Sequence, residues 1–81
     1  MIVLEKKIKG KQEELLKKAK TFFGPEGEGL TISSEGDCCI EFQGAGGFVN
    51  VSLSEDEHGY IKVRIESREW EYQVKKFLER L

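Results

Sequence analysis

Residues 30–66 read LTISSEGDCCIEFQGAGGFVNVSLSEDEHGYIKVRIE, and their alternation decides the fold. Leu30 and Ile32; Cys38, Ile40 and Phe42; Val49, Val51 and Leu53; Ile61, Val63 and Ile65 recur at every second position. Successive side chains of a strand point to opposite faces, so this period gives one apolar and one polar sheet face. Paired residues must share a face, which limits the registers open to each hairpin. Ile32 opposite Ile40 and Leu30 opposite Phe42 leave Glu35-Gly36-Asp37 as a three-residue loop. Phe42 opposite Val49, Ile40 opposite Val51 and Cys38 opposite Leu53 leave Ala45-Gly46 as a two-residue turn. Leu53 opposite Ile61 and Val51 opposite Val63 leave an acidic loop around Asp56, Glu57 and His58. Three hairpins in a row make an antiparallel meander.

Outward from this block, residues 1–8 read as a further strand, although Lys6 falls on the face of Ile2, Leu4 and Ile8. Gly10 breaks it. From Lys11 a helix follows, with Leu15, Leu16, Ala19, Phe22 and Phe23 on one stripe, and Gly24-Pro25 stops it. Trp70, Val74, Phe77, Leu78 and Leu81 repeat the helical spacing at the other end. The reading is one α+β domain over residues 1–81, in the order β-α-β-β-β-β-α. That order resembles the fold of one half of the TATA-box-binding protein and of the related helix-grip proteins. The resemblance covers the whole chain as element order, without a motif matched residue by residue. It implies an antiparallel sheet with both helices packed on the apolar face and the other face open.

Eighty-one residues support one core, expected to hold by about 4–12 kcal/mol. Charged residues make up 35% of the chain, above the roughly 25% of an average domain. That bias fits a thermostable protein with surface ion-pair networks, and equally a well-solvated mesophilic surface. No apolar run is long enough to span a membrane, and Met1-Ile2-Val3-Leu4 is too short for the apolar core of a signal peptide. Adjacent Cys38 and Cys39 would sit on opposite faces of a strand, so no disulfide is expected between them. Cytoplasmic localisation follows from these readings.

Charge is strongly segregated. Residues 1–20 carry seven basic and three acidic side chains, residues 21–59 eight acidic and no basic ones, and residues 60–81 six basic and four acidic. The acidic loops at Glu35/Asp37 and Glu55/Asp56/Glu57 fall at the same sheet end as Lys7, Lys9 and Lys11. Internal compensation is the first reading. A cation site for Ca²⁺ or Mg²⁺, which the carboxylates would suit but whose loop spacing is missing, and an acidic edge for a basic partner are the alternatives.

Chemistry-bearing motifs are few. Gly44-Ala45-Gly46-Gly47 runs into a strand rather than a helix N-terminus, which fits a hairpin turn and not a phosphate cradle. By parity Cys38 faces the core, and Cys39 faces outward beside Ser52 and Lys62. The one histidine, His58, lies on a distant loop, so neither a nucleophile with its base nor a metal-ligand set is assembled. No catalytic or metal residue and no cofactor is expected. The open face should present Glu41, Asn50 and Arg64 in one row, Cys39, Ser52 and Lys62 in the next, and Phe48 and Tyr60 near opposite ends. Aromatics on an open sheet can stack nucleic-acid bases, but that mode needs a basic groove, and these strands belong to the acidic part of the chain. The residues expected to bind are therefore Glu41, Phe48, Asn50, Tyr60, Lys62 and Arg64, in a non-enzymatic protein-interaction domain that forms a homodimer. A small-ligand site between the C-terminal helix and the sheet is the alternative, and a nucleic-acid-binding module is a weaker one.

Overall fold

The computed structural model describes residues 1–81. Strand β1 (Ile2–Lys9) leads into helix α1 (Gln12–Phe23), then β2 (Thr31–Glu35), β3 (Cys39–Gly44), β4 (Gly47–Glu55), β5 (Tyr60–Arg68) and helix α2 (Glu71–Glu79). The five strands form one antiparallel sheet in the order β1-β5-β4-β3-β2. The α+β class and the element order are those read from the sequence. No helix is long and apolar enough to cross a membrane.

The inward residues of the alternating stretch do form the core. Ile40, Phe42, Val49, Val51, Leu53, Ile61, Val63 and Ile65 are buried with Leu15, Ala19 and Phe23 of α1 and Val74, Phe77 and Leu78 of α2. Both helices thus cover one sheet face. Phe23 is the joint between layers: its ring centroid lies 5.5 Å from Phe42, 5.1 Å from Phe77 and 4.9 Å from Phe22. Helix α1 stops at Gly24, whose N–H donates to the Lys20 carbonyl and whose position leaves no room for a Cβ beside that same oxygen. Lys6, the charge on the apolar side of β1, reaches the end of α2. Its Nζ donates to the Leu78 carbonyl at 2.7 Å, at the C-terminal end of the helix, whose dipole favours a cation.

Register departs from expectation in two hairpins. The β3–β4 pairing is as read, with Phe42 opposite Val49 and Ile40 opposite Val51, closed by Ala45-Gly46 with φ of 49° and 78°. Those paired positive values are what a two-residue hairpin turn requires. In β2–β3, however, Ile32 faces Phe42 rather than Ile40, and a bulge at Ser33 shifts the rest so that Glu35 faces Ile40. The extra residue turns Glu35 to the helix side, where it meets Lys20 at 2.8 Å. In β4–β5, Leu53 faces Val63 and Val51 faces Ile65, two residues away from the expected pairing. The cause is the place where the chain turns, one residue later than the alternation suggested. Asp56 N–H donates to the Tyr60 carbonyl, Asp56 Oδ1 accepts from the N–H groups of His58 and Tyr60, and Gly59 takes φ of 79°.

The cysteines require the largest correction. Cys38 and Cys39 are joined in a disulfide, and Cys38 is exposed rather than part of the core. Strand β3 begins only at Cys39, so Cys38 belongs to the turn and is not bound by strand alternation. The Gly36 N–H donates to the Cys39 carbonyl across this turn, and the Leu53 N–H donates to the Cys38 carbonyl.

Candidate functional site

The open face is built from the residues that alternate with the core. Because β5 has moved by two positions, its rows differ from those expected. Glu41 and Asn50 stand beside Glu66, whereas Cys39 and Ser52 stand beside Arg64, which in turn pairs with Glu5 on β1. Lys62 lies one row further on, between Ser54 and Lys7. Glu5 bridges Lys62 at 3.3 Å and Arg64 at 3.6 Å, and Arg64 also holds Glu66 at 3.0 Å. This four-residue network neutralises the middle of the face internally. Networks of this kind gain most at high temperature.

Phe48 and Tyr60 do lie at opposite ends of the face, each half-buried. Arg68 sits over the Phe48 ring at 5.6 Å and Lys9 over the Tyr60 ring at 5.4 Å. Each aromatic therefore has a cation on its π face. The face is more basic than the acidic stretch of sequence implied, because β1 and β5 supply Lys7, Lys9, Lys62, Arg64 and Arg68 against Glu5 and Glu66.

The sequence reading did not single out the outer edge of β1. This strand pairs with β5 over all eight residues without a bulge and has no neighbour on its other side. Met1 just before it and Val3 within it are 75% and 44% exposed, and Ile2, Leu4 and Ile8 are only half-buried. The opposite edge, β2, has five residues and carries the Ser33 bulge, which is how sheets blunt an edge against pairing. The alternation of residues 1–8 marks the strand, but its edge position depends on topology.

At the loop end, basic and acidic groups do meet. Lys7 Nζ lies 2.9 Å from Asp56 Oδ2, and Lys20 Nζ lies 2.8 Å from Glu35 Oε2. These acidic loops assemble no metal-ligating group of three or more side chains. The Lys7 hydrogen bond holds the Asp56 carboxyl below the ordinary carboxylate range, and the two backbone N–H donors add to this against partial desolvation. A carboxylate with a lower pKa folded than unfolded stabilises the protein above its unfolded value of about 3.9 and loses that contribution as pH falls through the folded value. Asp56→Asn should therefore melt at a lower temperature than the parent at pH 7. The gap should close on acidification between about pH 5 and pH 2, as followed by thermal unfolding at stepped pH. An unchanged gap across that range would reject the ion pair as its source.

Two concavities stand out. One, of about 710 Å³, runs between the helices over Phe22, Phe77 and Leu81, with Lys17, Lys18 and Arg80 at its rim alongside Glu14 and Glu28. The other, of about 320 Å³, lies on the open face beside Cys39 and is lined by Ser34, Glu41, Asn50, Ser52 and Glu66. The space between α2 and the sheet is filled: Val74 and Phe77 are buried there, and Trp70 Nε1 donates to the Gly44 carbonyl at 3.0 Å. No protein-family model, curated protein or solved structure matches the chain.

Proposed function

We propose that the chain is a small non-enzymatic interaction domain that works as a homodimer, two copies pairing antiparallel along β1. The observation that carries this reading is the unbulged eight-residue β1 edge, whose outward N–H and C=O groups have no strand beside them. A two-fold axis at Lys6 sets Leu4 of one copy opposite Ile8 of the other, and Glu5 opposite Lys7. Both contacts occur twice. Half-buried apolar residues would be completed and opposite charges matched, each pair contributing about 0.2–1 kcal/mol. Closed two-fold pairing is also the commonest way for chains to associate.

Sedimentation tests this reading, with a dimer expected at micromolar concentration. Glu5→Lys should weaken it about tenfold by opposing two like-charge pairs, and adding Lys7→Glu to that variant should restore it. A monomer at high protein concentration sinks the proposal. Dimers insensitive to the Glu5 change but broken by Phe48→Glu would instead use the open face through Phe48 and Tyr60.

The groove between the helices favours a second reading, a site for an apolar molecule with an anionic group. Phe22 and Phe77 supply the floor and Lys17, Lys18 and Arg80 the cations. A thermal-shift screen against fatty acids and aromatic carboxylates should then show a rise in melting temperature that disappears with Phe22→Asp.

A further inference from the structure

The disulfide between adjacent cysteines has no role in holding the fold. A crosslink stabilises mainly by restricting the unfolded chain, and this one encloses no intervening residue. Neither sulfur packs in the core, whose apolar cluster contains no cysteine. Its two ends also differ in access. Cys38 is exposed in the turn after β2, while Cys39 is half-buried on the open face at the rim of the smaller depression. A nucleophile can therefore reach Cys38, with Cys39 as the departing sulfur.

From this arrangement we propose that Cys38–Cys39 is a thiol–disulfide exchange site that accepts two electrons from a dithiol reductant. A thiolate of the reductant attacks Sγ of Cys38. The new S–S bond forms as the Cys38–Cys39 bond breaks, its electron pair leaving on Cys39, which is then protonated. The reductant's second thiol loses its proton and attacks the reductant sulfur of the mixed disulfide. Cys38 departs as a thiolate and takes up a proton. The reductant ends as a disulfide and the cysteine pair as two thiols, with two electrons and two protons transferred.

The surroundings select the reductant. Asp37 is the neighbour of Cys38 and Glu41 lies two positions beyond Cys39 on the same face, neither of them in an ion pair, whereas Glu35 and Glu66 at the depression are matched by Lys20 and Arg64. The nearest cation across the strands, Arg64, is held by Glu5 and Glu66. An approaching anion is repelled, so the partner is a dithiol carried on a neutral or basic surface. The site is three strands away from β1 and does not depend on pairing there.

The test uses the purified chain, oxidised in air and kept native throughout. Intact-mass analysis after iodoacetamide should show no adduct before reduction and two after it, with the circular dichroism spectrum unchanged. Three reductants are compared at equal thiolate concentration: cationic dithiobutylamine, neutral dithiothreitol and anionic dimercaptopropanesulfonate. The cationic one should react about tenfold faster than the anionic one at low salt, the difference vanishing near ~1 M salt. The single thiol of Cys39→Ser should form a mixed disulfide with dithionitrobenzoate about tenfold faster than that of Cys38→Ser. Two free thiols after oxidation, reduction that occurs only in denaturant, equal rates for the two charged reductants at low salt, or the reverse order of the two variants would each overturn the proposal.

Discussion

Phe23→Ala should remove a large share of the stability of this protein. The ring is fully buried and touches both helices and the sheet through Phe22, Phe77 and Phe42. Deleting it forfeits its transfer free energy and leaves a cavity that three separate elements would have to collapse together to fill. Truncations of this kind cost about 3–5 kcal/mol. A domain of this size holds by about 4–12 kcal/mol, so the loss is decisive at the lower end of that range. With a urea dependence of about 1 kcal/mol per molar, the midpoint should fall by about 3 M or more. Tyr72→Ala, at a side chain 71% exposed, should move it by no more than about 0.5 M. Similar shifts for the two variants would show that Phe23 is not the joint between layers.

Gly47→Ala is the second large effect, and it acts through the backbone. A Cβ at Gly47 would land on the Arg68 carbonyl oxygen and 2.7 Å from Glu69 Cβ. Glu69 already takes a φ of 71° to turn the chain from β5 into α2. Pushing this corner outward would also draw Trp70 from its hydrogen bond to the Gly44 carbonyl. A cost of about 2–3 kcal/mol is expected, read as a urea midpoint lowered by about 2 M or more. Gly36→Ala is the control, because a Cβ there meets only the Cys39 carbonyl oxygen at 3.9 Å. If the two substitutions were equally mild, the corner would have room that its geometry denies.

Period-two alternation made the meander and the core face legible, since every inward aliphatic and aromatic residue from Ile40 to Ile65 is buried. Alternation is blind to a shift of two residues, because parity survives it. That is why β5 slid along β4 without violating the pattern, carrying Arg64 from Asn50 to Ser52. The deciding groups are Asp56 and Gly59, whose loop geometry is set by hydrogen bonds that a hydrophobic pattern does not encode. The Ser33 bulge was hidden for a related reason: Ser33 and Ser34 are both polar, so either could take the outward position. The disulfide escaped because the cysteines were read as strand, whereas the strand begins between them. Of the residues expected on the open face, Glu41, Phe48, Asn50, Tyr60, Lys62 and Arg64 all lie there, but in different rows.

Sheet order also has a consequence for synthesis on the ribosome. Ile2 pairs with Ser67 and Lys9 with Tyr60, so β1 emerges well before the strand it needs. At about 5–20 residues per second, Ile2 waits on the order of 3–13 s for its partner. The hairpins between β2 and β4 can close locally in that interval, whereas β1 must remain an unpaired apolar segment beside other nascent chains. Its lysines at positions 6, 7 and 9 act as gatekeepers that discourage aggregation during the wait. Lys6 thus has a role at each stage: it guards the unpaired strand first, and it closes the end of the last helix once the chain is whole.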